Sequence, residues 1–316
     1  MKAYAATFKR VEKKYCLSAE QYHTMLMITQ QFLKPDDYPK TVVSSLYFDT
    51  PENQLISRSL EKPLYKEKLR VRSYGIAQPD GSITPVSDQV FVELKKKYRG
   101  VVYKRRLALS TDAARAFLSG MDIDEACALF PAGVMGKGCA AAAVAAMCGA
   151  HAIVSADDAG DAAAAAFASA AAAGAAHAAA VAPVAVAESA PLQPHERQVA
   201  HEITAFLQRY PGIRPAMVTQ CTRTAWAEPG NPGCSLRITF DSQLRAGHPA
   251  GDPFAFRLGN RAMDLLRPGQ VLMEIKQGGG MPFWLVNALS QNQIYPRSFS
   301  KYGTAYEKEQ KELKHA

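Results

Sequence analysis

Apolar and charged residues alternate with a period of two in segment after segment of this chain. Val90-Phe-Val-Glu-Leu-Lys-Lys-Lys-Tyr98 sets Glu93, Lys95 and Lys97 on one side of an extended backbone, with Val92 and Leu94 on the other. Lys68-Leu-Arg-Val-Arg72 sets Lys68, Arg70 and Arg72 against Leu69 and Val71. Arg10-Val-Glu-Lys-Lys-Tyr15 groups Arg10, Glu12 and Lys14, and Tyr103-Lys-Arg-Arg-Leu-Ala-Leu109 groups Lys104 with Arg106. Leu236-Arg-Ile-Thr-Phe-Asp241 places Arg237, Thr239 and Asp241 opposite Leu236, Ile238 and Phe240. Val271-Leu-Met-Glu-Ile-Lys276 places Glu274 and Lys276 opposite Met273 and Ile275. Each run predicts a strand with one charged and one apolar face.

Other signals fill the spaces between these strands. Ser18-Ala-Glu-Gln21 has capping-box spacing and predicts a helix through Met25, Leu26, Ile28 and Phe32, closed by Asp36, Asp37 and Pro39. Thr41–Asp49 predicts a strand, and Thr50-Pro51 a short helix. Gln78-Pro-Asp-Gly-Ser82 is turn chemistry that joins the Arg70 and Glu93 strands as a hairpin with a loose loop. Ser110 caps a helix to about Leu118, and Pro194–Leu207 reads as an amphipathic helix with His195 and His201 on its polar side. Arg214–Trp226 predicts a strand, Glu228–Gly233 a turn, Asp241–Gly251 a loop and Phe254–Leu258 a short strand. Phe283–Leu289 begins a short buried helix, and the charged residues after Gly303 a helical tail. From about 139 to 190 alanine dominates, which predicts a low-complexity insert, partly helical or disordered, with a membrane span as the sharper alternative. The expectation is an α+β fold of about eight mostly antiparallel strands, one domain over 1–316 interrupted by that insert.

Charge refines this picture. Lys and Arg number 37 against 29 Asp and Glu, a net charge of +8. The excess is concentrated on the strand faces, where arginine is frequent and acids are few. Arginine's planar fork suits paired phosphate oxygens. Turned inward, these faces would form a positive tunnel that needs a polyanion to offset its self-repulsion. The few carboxylates would then hold a divalent cation beside the phosphates. Turned outward, the same faces would simply be solvated, and periodicity does not choose between the two. Glu274, on one face with Lys276, is the best-placed metal ligand. Glu12 and Glu93 read as counter-charges, and Asp241 as a cap for the following turn. The six cysteines form no CxxC pair, and the first ten residues lack a signal-peptide core, which together predict a reducing, cytoplasmic setting.

The motifs in order are Glu12-Lys-Lys-Tyr15, Tyr47-Phe-Asp49, Leu69-Arg-Val-Arg-Ser-Tyr-Gly75, Phe91-Val-Glu-Leu-Lys95, Tyr103-Lys-Arg-Arg106, Arg214-Pro, Arg223-Thr-Ala, Leu236–Asp241, Met273-Glu-Ile-Lys276 and Phe299-Ser-Lys301. Together they resemble the VTC (vacuolar transporter chaperone) domain, the polyphosphate polymerase domain of the triphosphate tunnel metalloenzyme superfamily. The resemblance implies an eight-stranded antiparallel β-barrel tunnel with surrounding helices and charged faces inward. It implies that Lys14, Arg70, Arg72, Lys95, Lys104, Arg106, Arg223, Arg237, Lys276 and Lys301 bind ATP and the growing inorganic polyphosphate. It assigns Glu274 to Mn²⁺ or Mg²⁺ and centres catalysis on Glu274, Lys95, Arg70 and Arg72. The implied reaction moves the γ-phosphoryl group of ATP onto a phosphate or polyphosphate acceptor. Glu12 matches the superfamily's hydrolases, which keeps tripolyphosphate hydrolysis as an alternative; a non-catalytic polyphosphate-binding module is another. The family's eukaryotic members carry a phosphate-sensing domain and membrane helices that this chain lacks, so a soluble bacterial-type version is expected. Few aromatics interleave with the basic residues, so nucleic acid is not the expected partner.

Overall fold

The computed structural model describes residues 11–78, 83–99, 101–132, 192–228 and 236–315. Arg10, the centres of the turns expected at 78–82 and 228–233, and the alanine-rich segment at 139–190 lie outside the described residues. In chain order the elements are β1 (Val11–Leu17), α1 (Ala19–Phe32), β2 (Lys34–Asp49), α2 (Gln54–Leu60), β3 (Tyr65–Ala77), β4 (Ile83–Pro85), β5 (Gln89–Tyr98), β6 (Val101–Ser110), α3 (Thr111–Leu118), α4 (Ile123–Leu129), α5 (Pro194–Arg209), β7 (Arg214–Ala227), β8 (Arg237–Gly247), β9 (Met263–Asp264), β10 (Val271–Gln277), α6 (Phe283–Gln291) and α7 (Lys301–His315). They fall into two compact units: Met1–Ser87, Val92–Arg105 and Pro215–Ala316 in the first, Asp88–Phe91 and Arg106–Arg214 in the second.

The first unit is organised by the sheet, whose order is β1-β10-β8-β7-β2-β3-β5-β6, with β4 beside β3 and β9 beside β8. This is the expected α+β class, a sheet of ten strands with eight on one path, as many as the alternation predicts; among the described residues β1 and β6 end the path, so the barrel that the resemblance implies is not closed there. The β1–β10, β10–β8, β8–β7 and β2–β3 pairings are antiparallel. The apolar faces of β1, β8 and β10 supply Tyr15, Leu17, Ile238, Phe240, Met273 and Ile275, which pack with Met25 of α1 and Leu285 and Leu289 of α6. Both ends of the capping box are made in α1: Ser18 Oγ accepts from the Gln21 N–H, and Gln21 Oε1 accepts from the Ser18 N–H. Only Leu285, Ala288 and Leu289 of α6 are buried, and Phe283 is 81% exposed, so this helix is less enclosed than its apolar composition predicts.

Three local expectations change. First, β2 begins at Lys34, not Thr41. Its early residues are mostly exposed, so turn-favouring Asp36 and Pro39 cost little there, and Asp36 is fixed by Arg237 at 2.6 Å. Second, the loop expected from Asp241 is strand through Gly247, because Leu244 and Ala246 are buried and the run pairs with β7. A bulge between Gln220 and Thr222, with Gln243 at φ 49°, absorbs the irregularity that polar Ser242 and Gln243 suggest. Asp241 therefore sits within a strand and caps no turn. Third, the strand expected at Phe254–Leu258 is a 3-10 turn over Pro253–Ala255, capped by Asp252; Leu258 makes only an isolated bridge to Pro249.

In the second unit α3 and α4 pack together, and buried Phe117 and Leu118 of α3, Ile123 of α4, and Ile203 and Phe206 of α5 supply apolar side chains. Ser110 Oγ accepts from the Ala113 N–H to cap α3 and donates to the Phe130 carbonyl.

Candidate active site

Three carboxylates on the charged faces of the first unit's strands are withdrawn from water. Glu93 and Asp241 are fully buried, and Glu274 is 7% exposed. Transfer of a carboxylate from water is tolerated only with close cationic partners. Each of the three has two. Glu93 meets Arg70 at 2.6 Å and Lys104 at 2.7 Å. Asp241 takes Arg223 on both oxygens, at 2.6 and 2.8 Å, and Lys301 at 2.7 Å. Glu274 meets Lys276 at 2.6 Å and Lys14 at 3.9 Å, and Lys14 also reaches Glu12 at 3.3 Å.

The register explains these meetings. Lys14 lies opposite Glu274 and Glu12 opposite Lys276 across β1 and β10, while Arg223 lies opposite Asp241 across β7 and β8. Burial opposes ionisation of Glu274, but Lys276, Lys14 and Arg223 outweigh it and bring its carboxyl down to about 2. Burial also opposes Asp241, and Lys301 and Arg223 hold it well below the usual carboxylate range. Both acids are therefore anions at any physiological pH.

The last segment of the described chain returns to this face. Lys301 opens α7 and also donates to Cys221 Sγ at 3.0 Å. Lys14 donates to the Phe299 carbonyl and Lys68 to Ser300 Oγ, each at 3.2 Å. Tyr302 stacks on Tyr47 and donates to Asp49, whose carboxylate also accepts the N–H groups of Leu55 and Ile56 at the start of α2. Gly303 lets α7 approach α2: a Cβ there would lie 3.1 Å from Leu60 Cδ2.

Of the residues expected at the site, Lys14, Arg70, Arg72, Lys95, Lys104, Arg223, Glu274, Lys276 and Lys301 all lie in the first unit on these charged strand faces or at the start of α7. Arg237, opposite Lys276 in the register, is engaged by Asp36. Arg106 belongs to the second unit, where it is exposed and stands over the Phe91 ring at 4.4 Å. Arg72 and Lys95 have no acid in ion-pair reach among the described residues; Arg72 has a weak bond to Ser45 Oγ at 3.4 Å. Lys68 shares this condition, since its hydrogen bond goes to a neutral hydroxyl. Burial and the neighbouring Lys66, Lys95 and Lys14 pull its ammonium down to about 8.

Three functional candidates are absent from the sequence-based set: Lys68, Tyr47 and Thr239. Tyr47 accepts from Arg70 at 3.2 Å; burial opposes its ionisation, but Arg70 and Arg72 outweigh it and lower the phenol to about 8. Thr239 lies opposite Glu274, and its Oγ1 is buried with no hydrogen-bond partner among the described residues. The period-two pattern places Thr239 on the charged face, but only the register sets it beside Glu274.

Comparison with protein families matches residues 9–309 to the VTC domain. The chain belongs to the VTC domain family. No curated protein matches it in sequence. Solved structures overlap it loosely. A candidate adenylate cyclase from Vibrio parahaemolyticus shares 9% identity with a TM-score of 0.36, covering 96% of this chain and 99% of that one. Another, from Bacillus halodurans, shares 12% identity with a TM-score of 0.37, covering 92% and 93%. The Hippeastrum protein HpAC1, described with a dominant triphosphatase activity, shares 10% identity with a TM-score of 0.37, covering 93% of each chain. Family membership stands on the VTC domain match alone.

Divalent metal is part of what the resemblance implies, so the donors of this VTC domain matter. Among the described residues no three His, Cys, Asp or Glu side chains gather around one point. Glu274 and Glu12 are nevertheless neighbours through shared Lys14, and the partnerless Thr239 hydroxyl lies in register with Glu274. That set is all oxygen. It fits a hard ion that takes one or two carboxylates and completes its shell with water and phosphate. No described helix is long and apolar enough to cross a membrane.

Proposed function

We propose that this VTC domain is a cytoplasmic polyphosphate polymerase, which transfers the γ-phosphoryl group of ATP to a growing inorganic polyphosphate chain and releases ADP. The observation that carries this reading is the set Lys68, Arg72 and Lys95: cations on a largely enclosed face that make no ion pair among the described residues, Lys95 being acted on by Glu12 and Glu274 only beyond ion-pair distance. A face built this way is complete only when an anion with many oxygens lies on it.

In this reading Arg70 and Arg72 grip the triphosphate with planar forks, and Lys95 and Lys68 neutralise the oxygens between acceptor and donor. Glu93 and Tyr47 hold Arg70 in place, and Asp241 holds Arg223 and Lys301. Phosphoryl transfer needs positioning and charge neutralisation more than covalent help. The acceptor phosphate is already an anion, so no side chain has to remove a proton from it. Glu274, with Glu12 and Thr239 beside it, would hold Mn²⁺ or Mg²⁺. That ion would supply further neutralisation of charge on the transferring phosphoryl group.

A second reading, metal-dependent tripolyphosphate hydrolysis, draws on one feature: Glu12 and Glu274 share Lys14, so two carboxylates lie together as an acidic pair. One experiment separates the two. Purified protein is incubated with ATP and Mn²⁺, with and without a short phosphate primer, beside Glu274→Gln, and the products are resolved by chain length. Long chains from the native protein and none from the variant are expected. Free phosphate without chains would replace polymerase by hydrolase. Tight polyanion binding with no metal-dependent product would leave a binding module.

A further inference from the structure

The basic character of β3 and β5 continues beyond the residues that would hold a triphosphate. The Arg99 N–H donates to the Leu64 carbonyl, and Arg70 meets Glu93, so neighbouring β3 and β5 run in opposite directions with a fixed register. That register puts Lys68 opposite Lys95 and Lys66 opposite Lys97, on the same face as the Arg70–Glu93 pair. Successive rungs are about 7 Å apart, two residues of strand. Like charges directly opposite on adjacent strands are destabilising, and here two such rungs follow each other. Neither makes an ion pair among the described residues; Glu12 and Glu274 act on Lys95 of the inner rung, and only Lys97 and Lys62 act on Lys66 of the outer one. The hydrogen bond of Lys66 goes to the Ser59 carbonyl at 2.9 Å, which is neutral. Lys62, at the turn before β3, adds a further positive charge close enough to act on Lys66 together with Lys97.

We propose that Lys66 and Lys97, with Lys62 beside them, form a distal subsite for a linear polyanion longer than a triphosphate: the inorganic polyphosphate chain beyond the reacting phosphates. The inference rests on the reading of this face as a polyphosphate site and extends it outward along the sheet. From Arg72 to Lys66 the strand covers about 20 Å, more than three linked phosphates reach. The charges are spaced along one straight line, as the charges of the polymer are. The one ring recorded beside these lysines, Tyr302 under Lys68, is buried and already stacked on Tyr47, so a base would find no open platform there. The distal rung is more open than the inner one: Lys97 is exposed, whereas Lys68 and Lys95 are partly buried. A flexible chain would therefore pass from an enclosed reacting end to a wet, loosely held end.

The test is equilibrium binding of inorganic tripolyphosphate, medium-chain polyphosphate and oligo-deoxythymidine of matched charge. Native protein is compared with the Lys66→Gln/Lys97→Gln variant across a salt series. The variant is expected to lose about tenfold in polyphosphate affinity and to hold tripolyphosphate within about twofold. Its slope of log affinity against log salt should shrink by about 1.4, for two lost phosphate contacts. Equal losses for both phosphate ligands, or no loss for either, would overturn the distal subsite while leaving the triphosphate site standing. Oligo-deoxythymidine binding as tightly as polyphosphate, with the same loss, would overturn it in favour of a nucleic-acid surface. Native protein that binds neither phosphate ligand would instead remove the proposed function, and the subsite with it. Thermal melting of the variant controls for folding; relief of the Lys–Lys rung should leave its midpoint unchanged or higher.

Discussion

Two regions of one charged sheet face are built on opposite terms. Across β10, β8 and β7, each buried acid is gripped by two cations: Asp241 by Arg223 and Lys301, Glu274 by Lys276 and Lys14. Across β3 and β5, only the Arg70 rung has an acid, and the lysines beyond it face one another. The first region is electrostatically closed and holds its shape without a ligand. The second is left with more positive charge than its own acids offset, which a bound anion would relieve. The difference separates residues that set geometry from residues that wait for substrate, although all of them read alike in the sequence.

The largest effect should come from opening the closed region. Asp241→Asn strips the anion from buried Arg223 and Lys301, and should lower unfolding free energy by about 3–5 kcal/mol in a urea titration. Glu93→Gln should cost less, because Lys104 is 42% exposed and can turn to water. Next, saturating the open region should stabilise it: tripolyphosphate at a hundred times its Kd should add about 2.7 kcal/mol, read as a rise in melting temperature. A smaller change of opposite sign should follow Lys95→Gln, which relieves a like-charge rung. Its ligand-free stability should rise by up to about 1 kcal/mol, while tripolyphosphate binds roughly tenfold more weakly. A variant that loses both stability and affinity would show that Lys95 belongs with the clamped set.

The pH dependence tests the same contrast without a substitution. Lys68 loses its proton at about 8 in the folded protein, against a usual 10.5, and Tyr47 ionises at about 8 against a usual 10.0. Between about pH 8 and 10 the folded state therefore binds fewer protons than the unfolded chain. The stability these two groups contribute is present above that window and is lost as pH falls through 8. Ligand-free melting temperature should rise from pH 7.5 to 9.5. Tripolyphosphate affinity should fall over the same interval, since the site loses one positive charge and gains one negative one. A flat profile in both would place the charged lysine on a better-solvated side chain.

Much of this architecture was legible in the chain. The period of two located the strands and separated Arg70, Arg72, Lys95 and Glu274 from their apolar neighbours, because side-chain direction on a strand is a local property. Pairing is not local. Lys301 lies 60 residues beyond Asp241 in the chain and 80 beyond Cys221, and no spacing rule links them. Asp241 looked like a turn cap because polar Ser242 and Gln243 follow it, and only the β7 bulge shows how the strand continues. Tyr47, in a motif, and Thr239, on a charged face, carry no assigned role in the sequence for a related reason. An uncharged side chain on a charged face carries no signal until its cross-strand neighbours are known.

The pairing of β1 with β10 also sets a timetable for assembly. Lys14 and Glu274 are neighbours in the sheet but 260 residues apart in the chain, a separation that slows folding by the entropy of closing so large a loop. Strand β1 leaves the ribosome long before its partner exists. At roughly 5–20 residues per second, the wait is on the order of tens of seconds. Ser300 and Lys301 arrive later still. A nascent chain can therefore form β2, β3, β5 and β6 but not the complete charged face, and Glu274, Lys276 and Lys301 join it only near the end of synthesis.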